Sequence, residues 1–325
     1  MADVFAYLEG FGASGGSPKK STIIVTAPTG STVTCKMGST TKTATEKNGV
    51  WTFGGLDLGT WTITSTKGGD SATQDVAITR LTVEYVTIVY RVTPEFTYTG
   101  DYAIVDDSDN PISDFANWKN NWKIRFLTSG TFTVTKLNGW NGQLDVFLVG
   151  GGGNGETIRG ARGGGGGYTK TVKGVSIAIA TPYTVTIGAS SGTSSAFGVS
   201  ANGASGADGG SGGGGGGSSS GTSGNGGSNG GNGTAGNVSN GGTGQGTTTR
   251  EFGESTGKLY SGGGGGSAAY AGAAGDSTAG AGANFGGAAK NGVANTGGGG
   301  GAAYSGTAGR GGSGIAIIRN ARGAA

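Results

Sequence analysis

The sequence contains no histidine, one cysteine and only five prolines among its 325 residues. These absences disfavour catalytic sites with an imidazole base, histidine metal sites, disulfide frameworks and proline-rich collagen helices. Charged residues are also scarce, at 13% of the chain, where about 25% is usual. We therefore expect a protein that is not an enzyme and that has no catalytic residues, no metal and no cofactor.

Charge and hydropathy patterns exclude two further classes of partner. No apolar run approaches the roughly 20 residues of a membrane span, and residues 1–20 lack the basic start and apolar stretch of a secretion signal. Lys and Arg number 12 in residues 1–149 and 10 in residues 150–325, and they are scattered along the sequence. Because nucleic-acid binding needs clustered cations, we expect no nucleic-acid partner and no membrane insertion.

Glycine is the residue that the chain has in excess, with 16 copies in residues 1–149 and 62 in residues 150–325. The composition therefore changes near residue 150. Together with the strand patterns described next, this change predicts an attachment segment at 1–20, a β-sandwich module at 21–93, a β-strand lead-in at 94–149 and a glycine-rich domain at 150–325. We expect almost no α-helix.

The predicted sandwich consists of short runs of β-branched and aromatic residues with a period of two, separated by turn residues. The pattern predicts antiparallel strands at 22–26, 32–37, 40–45, 50–53, 60–66, 73–78 and 82–90, with Gly54-Gly55 as one of the turns. Cys35 is predicted to be a buried, inert thiol, and Trp51 and Trp61 are predicted to pack in the core. The module resembles immunoglobulin-like and carboxypeptidase-regulatory-like repeats, which usually act as spacers or connectors.

The lead-in contains an acidic cluster and two apolar strands. Asp106, Asp107, Asp109 and Asp114 surround an Asn-Pro turn, but the glycine and distal glutamate of a calcium loop are missing. We interpret the cluster as a solvated turn. The apolar strands lie within 122–134 and 144–149, and the second leads directly into Gly150.

Within the glycine-rich domain, residues 203–242 have a period of three. Stepping by three from Gly203 gives glycine at 12 of 14 positions, while each of the other two registers gives 4 of 13. Three residues per turn is typical of polyproline-II-type helices. The pattern favours a bundle of polyglycine-II helices joined by backbone hydrogen bonds, with a disordered Gly/Ser linker as the alternative.

Several segments, in this order, resemble the glycine-rich domain of bacteriophage and prophage tail fibre proteins. They are 126–134, 145–153, 163–168, 183–188, 195–198 and 311–319. In composition the chain is also similar to glycine-rich phage tip adhesins. The resemblance implies a virion protein, released by host lysis, that attaches to other tail or baseplate proteins and binds a glycan or protein on the bacterial surface. It also implies a homo-oligomer, such as a trimer, or a monomeric tip, and it implies no catalytic residues.

Large side chains among small residues are the candidate receptor contacts. The first group is Phe252, Glu254, Lys258 and Tyr260, and the second is Tyr270, Phe285 and Tyr304. Aromatic faces with a polar rim suit a sugar or protein receptor, whereas the alternative for the second group is that the rings plug the ends of the glycine segments. At the level of function, the alternative is a purely structural fibre shaft or tip cap.

Overall fold

The computed structural model describes residues 20–322 apart from 28, 68–69, 88–92, 117, 119, 138–139, 159, 211–222, 227–232, 235–245 and 247–248. The chain divides into two compact units, Met1–Arg91 and Val92–Ala325. Regular structure in the described residues is β-strand apart from one short 3-10 turn at Glu251–Gly253. Among these residues there is no helix long and apolar enough to cross a membrane.

The first unit contains two sheets. Its strands are β1 (Ser21–Thr26), β2 (Thr32–Met37), β3 (Thr40–Thr43), β4 (Val50–Leu56), β5 (Gly59–Lys67), β6 (Asp70–Ile78) and β7 (Val83–Thr87). One sheet has the order β4-β1-β7 and the other β3-β2-β5-β6. Both sheets contribute alternate residues to one apolar core, so the predicted sandwich is confirmed.

The core of this unit contains the residues that the alternation predicts. Trp51 and Trp61 are buried, as is Cys35, and all three belong to the same apolar cluster. Burial raises the pKa of the Cys35 thiol to about 11, against a smaller opposing effect of Lys42. The thiol therefore stays protonated near neutral pH, which agrees with the predicted inert cysteine.

Two details of the sandwich differ from the prediction. Gly54 and Gly55 lie inside β4, where the pairs Ser21↔Leu56 and Ile23↔Phe53 leave one extra residue on β4. The glycine pair is therefore part of a β-bulge, with Gly55 at a φ of 70°. In addition, β7 pairs with β1 in parallel, because β7 follows β6 of the other sheet and no hairpin joins β7 to β1.

The second unit combines three sheets with glycine-rich segments. Its strands are β8 (Glu95–Tyr98), β9 (Tyr102–Val105), β10 (Lys123–Phe126), β11 (Gly130–Lys136), β12 (Gln143–Val149), β13 (Thr169–Ser176), β14 (Pro182–Val185), β15 (Ser194–Ala196), β16 (Val199–Ala201) and β17 (Ile315–Asn320). The sheets have the orders β13-β12-β17-β10-β9, β14-β11-β8 and β15-β16.

Both faces of the five-stranded sheet are covered. On one face, β10, β12 and β17 pack against β11, β14, β15 and β16 around a large apolar cluster. On the other face, Phe147, Ile315 and Ile317 pack against Phe252 and Tyr260. Burial on both sides explains why β12 and β17 are continuous apolar runs rather than alternating ones.

Within the described residues outside 203–242, eight glycine-rich segments extend from this sheet. Four run outward from it, at 150–157, 262–268, 278–283 and 297–303, and four return, at 161–167, 272–275, 289–293 and 309–314. Hydrogen bonds between two given segments recur every third residue: Gly300 and Ala303 donate to Gly153 and Glu156, both at 2.9 Å. The sheet end of these segments is called the base below, and the opposite end the tip.

Residues 297–301 lie in the middle of the bundle. Four of their N–H groups donate to carbonyls of four other segments, namely Ser313, Gly262, Gly153 and Lys290, each at 2.9 Å. Their carbonyls accept from Gly167, Gly312, Gly280, Gly164 and Gly309. The segment is therefore hydrogen-bonded to six neighbouring segments, and backbone groups take the place of a side-chain core.

The close approach of these backbones requires glycine. A Cβ atom on Gly300 would lie 2.1 Å from the carbonyl oxygen of Gly309, and one on Gly298 would lie 1.9 Å from that of Thr278. Most of the period-three tract at 203–242 lies outside the described residues. In its described part, Gly165 donates to Gly206 and Gly210 donates to Gly166, so residues 206–210 are joined to the bundle.

Candidate functional site

Each outward segment of the bundle is followed by a turn, and the four turns lie together at the tip. In the described part of the chain they comprise residues 158 and 160, 269–271, 284–288 and 304–308, and these residues are called the turn ring below. Thr157 and Ala283 each form a parallel bridge to Ala303. Ser267 donates its N–H to Ala161 at 2.9 Å and its hydroxyl to the carbonyl of Ala283. These bonds connect the segments that carry all four turns, at the positions next to the turns.

The turn ring exposes large apolar side chains. Phe285 is 75% exposed, Tyr270 65% and Ile158 60%, while Tyr304 is partly exposed. The rings of Phe285 and Tyr304 are 5.2 Å apart at an angle of 47°. The structure thus brings Tyr270, Phe285 and Tyr304 to one end of the molecule's second unit, although 34 residues of sequence separate the first from the last.

Polar and charged groups surround these side chains. Ser305 accepts a hydrogen bond from the N–H of Gly286 at 3.2 Å, which joins the two turns that carry the ring pair. Lys290 and Arg310 are exposed and lie on returning segments, just below the turns that carry the ring pair. Glu156 and Arg162 form an ion pair at 2.7 Å beside the first turn. The turn ring is therefore an apolar patch with a polar, partly cationic rim.

The other four predicted contacts, Phe252, Glu254, Lys258 and Tyr260, lie at the base, away from the turn ring. Phe252 and Tyr260 are 3% and 0% exposed, and their rings lie 5.9 and 5.3 Å from that of Phe147 on β12. The expectation that these two side chains emerge from the surface is therefore wrong. Large residues cluster here because the apolar outer face of β12 and β17 needs a cover.

Residues 249–260 cover this face of the sheet and are called the cover below. Ion pairs hold the cover on the sheet. Glu251 forms an ion pair with Lys123 of β10 at 2.9 Å, and it accepts hydrogen bonds from Arg125 of the same strand at 2.9 Å and from the hydroxyl of Tyr260 at 3.1 Å. Arg319 of β17 pairs with the fully buried Asp145 at 3.0 Å and with Glu254 at 2.6 Å. Buried charges are tolerated only when they are paired in this way, so the network fixes the position of residues 249–260.

Arg319 also contacts an aromatic ring of the cover. Its guanidinium carbon lies 4.1 Å from the ring centroid of Phe252, which is within the range of a cation–π interaction. Burial, with a further contribution from Glu251, raises the pKa of Tyr260 far above its usual range. Tyr260 therefore stays neutral and acts as a hydrogen-bond donor within the cover.

An open cleft of about 480 Å³ lies beside the cover, and Glu254 and Lys258 line it. Both are exposed. Other lining residues include Asp107, Asp109, Lys123 and Arg322. Most of these charges are already paired with each other, so the cleft offers a ligand few free charges and is better explained as the edge of the ionic cover.

The acidic cluster of the lead-in belongs partly to this network, which corrects its interpretation as a solvated turn. Asp109 accepts from Lys123 and Arg125, both at 2.6 Å, and Asp107 pairs with Arg322. Burial raises the pKa of Asp109, but the hydrogen bonds and charges of Lys123 and Arg125 outweigh it, so the pKa lies below the usual value. Asp106 keeps a turn role, accepting from the N–H groups of Ser108 and Asn110 at 2.9 and 2.8 Å.

Sequence reasoning missed Ile158 at the tip and Glu251, Arg125 and Arg319 at the base. Ile158 is a large apolar residue between two glycine runs, the same signal that identified Tyr270 and Tyr304. Arg125 alternates with Ile124 and Phe126 in β10, and Arg319 follows the apolar run 315–318. Neither position carries a signal of burial until the cover is known.

The fold and the turn ring define a β-rich protein whose second unit is a glycine-rich bundle that presents a set of exposed turns at one end. A family model described as a glycine-rich domain matches residues 127–321, so the chain belongs to this glycine-rich domain family. No curated protein is significantly similar to the chain.

Proposed function

We propose that the chain is a tail fibre protein of a phage or phage-like particle and that its turn ring binds the surface of the bacterial host. The observation that carries the proposal is the convergence of the four turns. They place Ile158, Tyr270, Phe285 and Tyr304 at one end of a backbone-bonded bundle. An exposed apolar patch at the end of a rigid support is typical of a recognition surface.

The bundle is, in this proposal, a set of polyglycine-II helices. Two observations support it: hydrogen bonds between neighbouring segments recur every third residue, and residues 297–301 are bonded to six neighbouring segments. Three residues per turn direct successive backbone groups to different neighbours. Such a support holds the turns at fixed positions, so binding costs little conformational entropy.

The resemblance to tail fibre domains supplies the biological setting of the proposal. The protein would be part of the virion and would become extracellular after host lysis. Its partners would be other tail or baseplate proteins and a receptor on the bacterial surface, and it would act as a homo-oligomer, such as a trimer, or as a monomeric tip. It would not be an enzyme.

The experiment measures binding of the fluorescently labelled full chain to intact cells of a panel of bacterial strains. The test variant combines Tyr270→Ser, Phe285→Ser and Tyr304→Ser, and the matched control is Val293→Ser, which changes a side chain that is 48% exposed near the base. We expect the wild type and the control to bind the same strains and the triple variant to lose binding. Equal binding by the triple variant would favour the purely structural role.

Replacing residues 250–260, which include four of the predicted receptor contacts, would be a poor test of this proposal. Phe252 and Tyr260 are part of an apolar cluster, so their replacement disturbs the sheet itself. Loss of binding in that variant would not distinguish a receptor contact from a folding defect. The turn-ring variants avoid this problem because their side chains are exposed.

A further inference from the structure

The turn ring exposes a patch of apolar side chains at the tip. Aromatic side chains carry about 150–250 Å² each. At the exposed fractions of Ile158, Tyr270 and Phe285, the turn ring offers roughly 300–500 Å² of largely apolar surface. A stable protein–protein interface buries about 800 Å² on each partner, of which a little over half is apolar. Area alone therefore does not identify the ligand, and the inference rests on the aromatic rings and on the charged rim.

The arrangement of the rings suits sugar rings. The Phe285 and Tyr304 rings are neighbours at an angle of 47°, with Phe285 exposed and Tyr304 partly exposed. The face of an aromatic ring is negative, and it attracts the weakly positive C–H groups on one face of a pyranose. Tyr270 offers a further ring on the neighbouring turn.

The rim adds a preference for negative charge. Lys290 and Arg310 are exposed, and neither forms an ion pair with another residue of the described chain. Glu156, two residues before Ile158, is paired with Arg162. Lys290 and Arg310 therefore give the described part of the rim a positive charge.

We infer that the turn ring binds an acidic glycan, in which pyranose rings stack on Phe285, Tyr304 and Tyr270 and carboxylate or phosphate groups pair with Lys290 and Arg310. This inference rests on the proposed function and names the chemical class of its receptor. The rigid backbone beneath the turns keeps the rings in place before the glycan arrives, which lowers the entropic cost of binding.

The first experiment measures binding of the full chain to an array of purified bacterial polysaccharides, both neutral and acidic. We expect binding to acidic polysaccharides that weakens as salt is raised. Phe285→Ser should reduce affinity about tenfold, Phe285→Tyr should retain it, and Val293→Ser should have no effect. The double variant Lys290→Gln and Arg310→Gln should lose the preference for acidic over neutral polysaccharides. Absence of binding to every acidic polysaccharide, or loss of affinity in Val293→Ser equal to that in Phe285→Ser, would overturn the inference.

The second experiment separates this inference from the proposed function. Cells of a strain that the wild type binds are treated with periodate, which oxidises glycans, or with a protease, which removes surface proteins. We expect periodate to abolish binding and the protease to leave it unchanged. Binding that resists periodate and is lost after protease treatment overturns the glycan inference while the receptor role stands. Failure to bind any strain, with specific binding on the array, overturns the receptor role while the glycan site stands.

Discussion

Glycines have opposite roles in the two units of the chain. In the sandwich, Gly30, Gly38 and Gly55 have positive φ values, and a Cβ atom on any of them would meet no other atom within 4 Å. In the bundle, a Cβ atom on Gly298 or on Gly300 would overlap the carbonyl oxygen of another segment. The sandwich uses these glycines for turns and a bulge, whereas the bundle uses glycines at its contacts.

The contrast shows two ways to exclude water from a protein interior. The sandwich buries side chains such as Ile63 and Trp61, and its stability depends on apolar surface and close packing. The bundle buries peptide groups that hydrogen-bond to each other, and its stability depends on backbones that approach within hydrogen-bond distance. The four predictions that follow test this contrast, beginning with the largest expected effect.

The stability of the five-stranded sheet should depend on contacts between side chains, even though the sheet lies in the glycine-rich unit. Arg319→Met keeps the apolar length of the side chain but leaves the buried carboxylate of Asp145 without its ion-pair partner. We expect the variant to lose about 3–5 kcal/mol of stability. Urea unfolding followed by tryptophan fluorescence measures the change.

The control for this variant is Lys136→Met. Lys136 pairs with Glu95, and both side chains are at least half exposed, so the loss should stay below about 1 kcal/mol. A loss equal to that of Arg319→Met would contradict the role assigned to the buried network.

The bundle should not tolerate an added methyl group. Gly300→Ala places a Cβ atom 2.1 Å from the carbonyl oxygen of Gly309, and neither backbone can move without breaking bonds to other segments. We expect a loss of about 3 kcal/mol, measured by urea unfolding and by faster amide exchange in residues 297–303. Gly287→Ala is the matched control, because its nearest atoms are the Asn284 and Ala283 side chains at 3.1 and 3.3 Å; it should cost far less.

The sandwich should respond moderately to a removed methylene group. Ile63 is fully buried in the apolar core, and Ile63→Val should cost about 1 kcal/mol. Amide exchange of peptides from β2 and β5 measures the effect, with Leu58→Val, at a residue that is 54% exposed, as the control. A smaller effect for Gly300→Ala than for Ile63→Val would refute the contrast between the two interiors.

Acid should weaken the second unit by a small amount. The folded-state pKa values of Asp107 and Asp109 are lowered, so these groups bind protons less readily in the folded state than in the unfolded state. Their contribution to stability is complete above the unfolded pKa of about 4 and is lost as pH falls through the folded pKa values. Urea unfolding at pH 5 and pH 2.5 should show the loss, and Asp109→Asn should reduce the dependence on pH.

The sandwich could be predicted closely from sequence because each of its strands has its own local signal. The alternation of apolar and polar residues identified all seven strands, and β2 has the bounds that the pattern predicts. Gly54-Gly55 was interpreted as a turn because a turn and a β-bulge both favour glycine at positive φ. The parallel pairing of β7 with β1 depends on the order of strands in space, which local pattern does not encode.

The candidate site could be predicted only in part. Tyr270, Phe285 and Tyr304 were singled out because they are large side chains among small residues, a pattern that left open whether they bind a receptor or plug the ends of the glycine segments. Their convergence depends on which segments are neighbours, and segments of nearly identical composition carry no code for that choice. Phe252 and Tyr260 gave the same signal but cover the sheet, as the two-sided apolar runs of β12 and β17 require.

The middle position of residues 297–301 has a thermodynamic consequence. When this part of the protein unfolds, the surface that becomes exposed to water consists mainly of peptide groups and contains little hydrocarbon. Hydration of polar surface lowers the heat capacity of the unfolded chain, whereas hydration of apolar surface raises it. The bundle should therefore show a smaller heat-capacity increment per residue than the sandwich. Its stability curve should be flatter, with melting that is driven by enthalpy over a wide range and little tendency to denature in the cold.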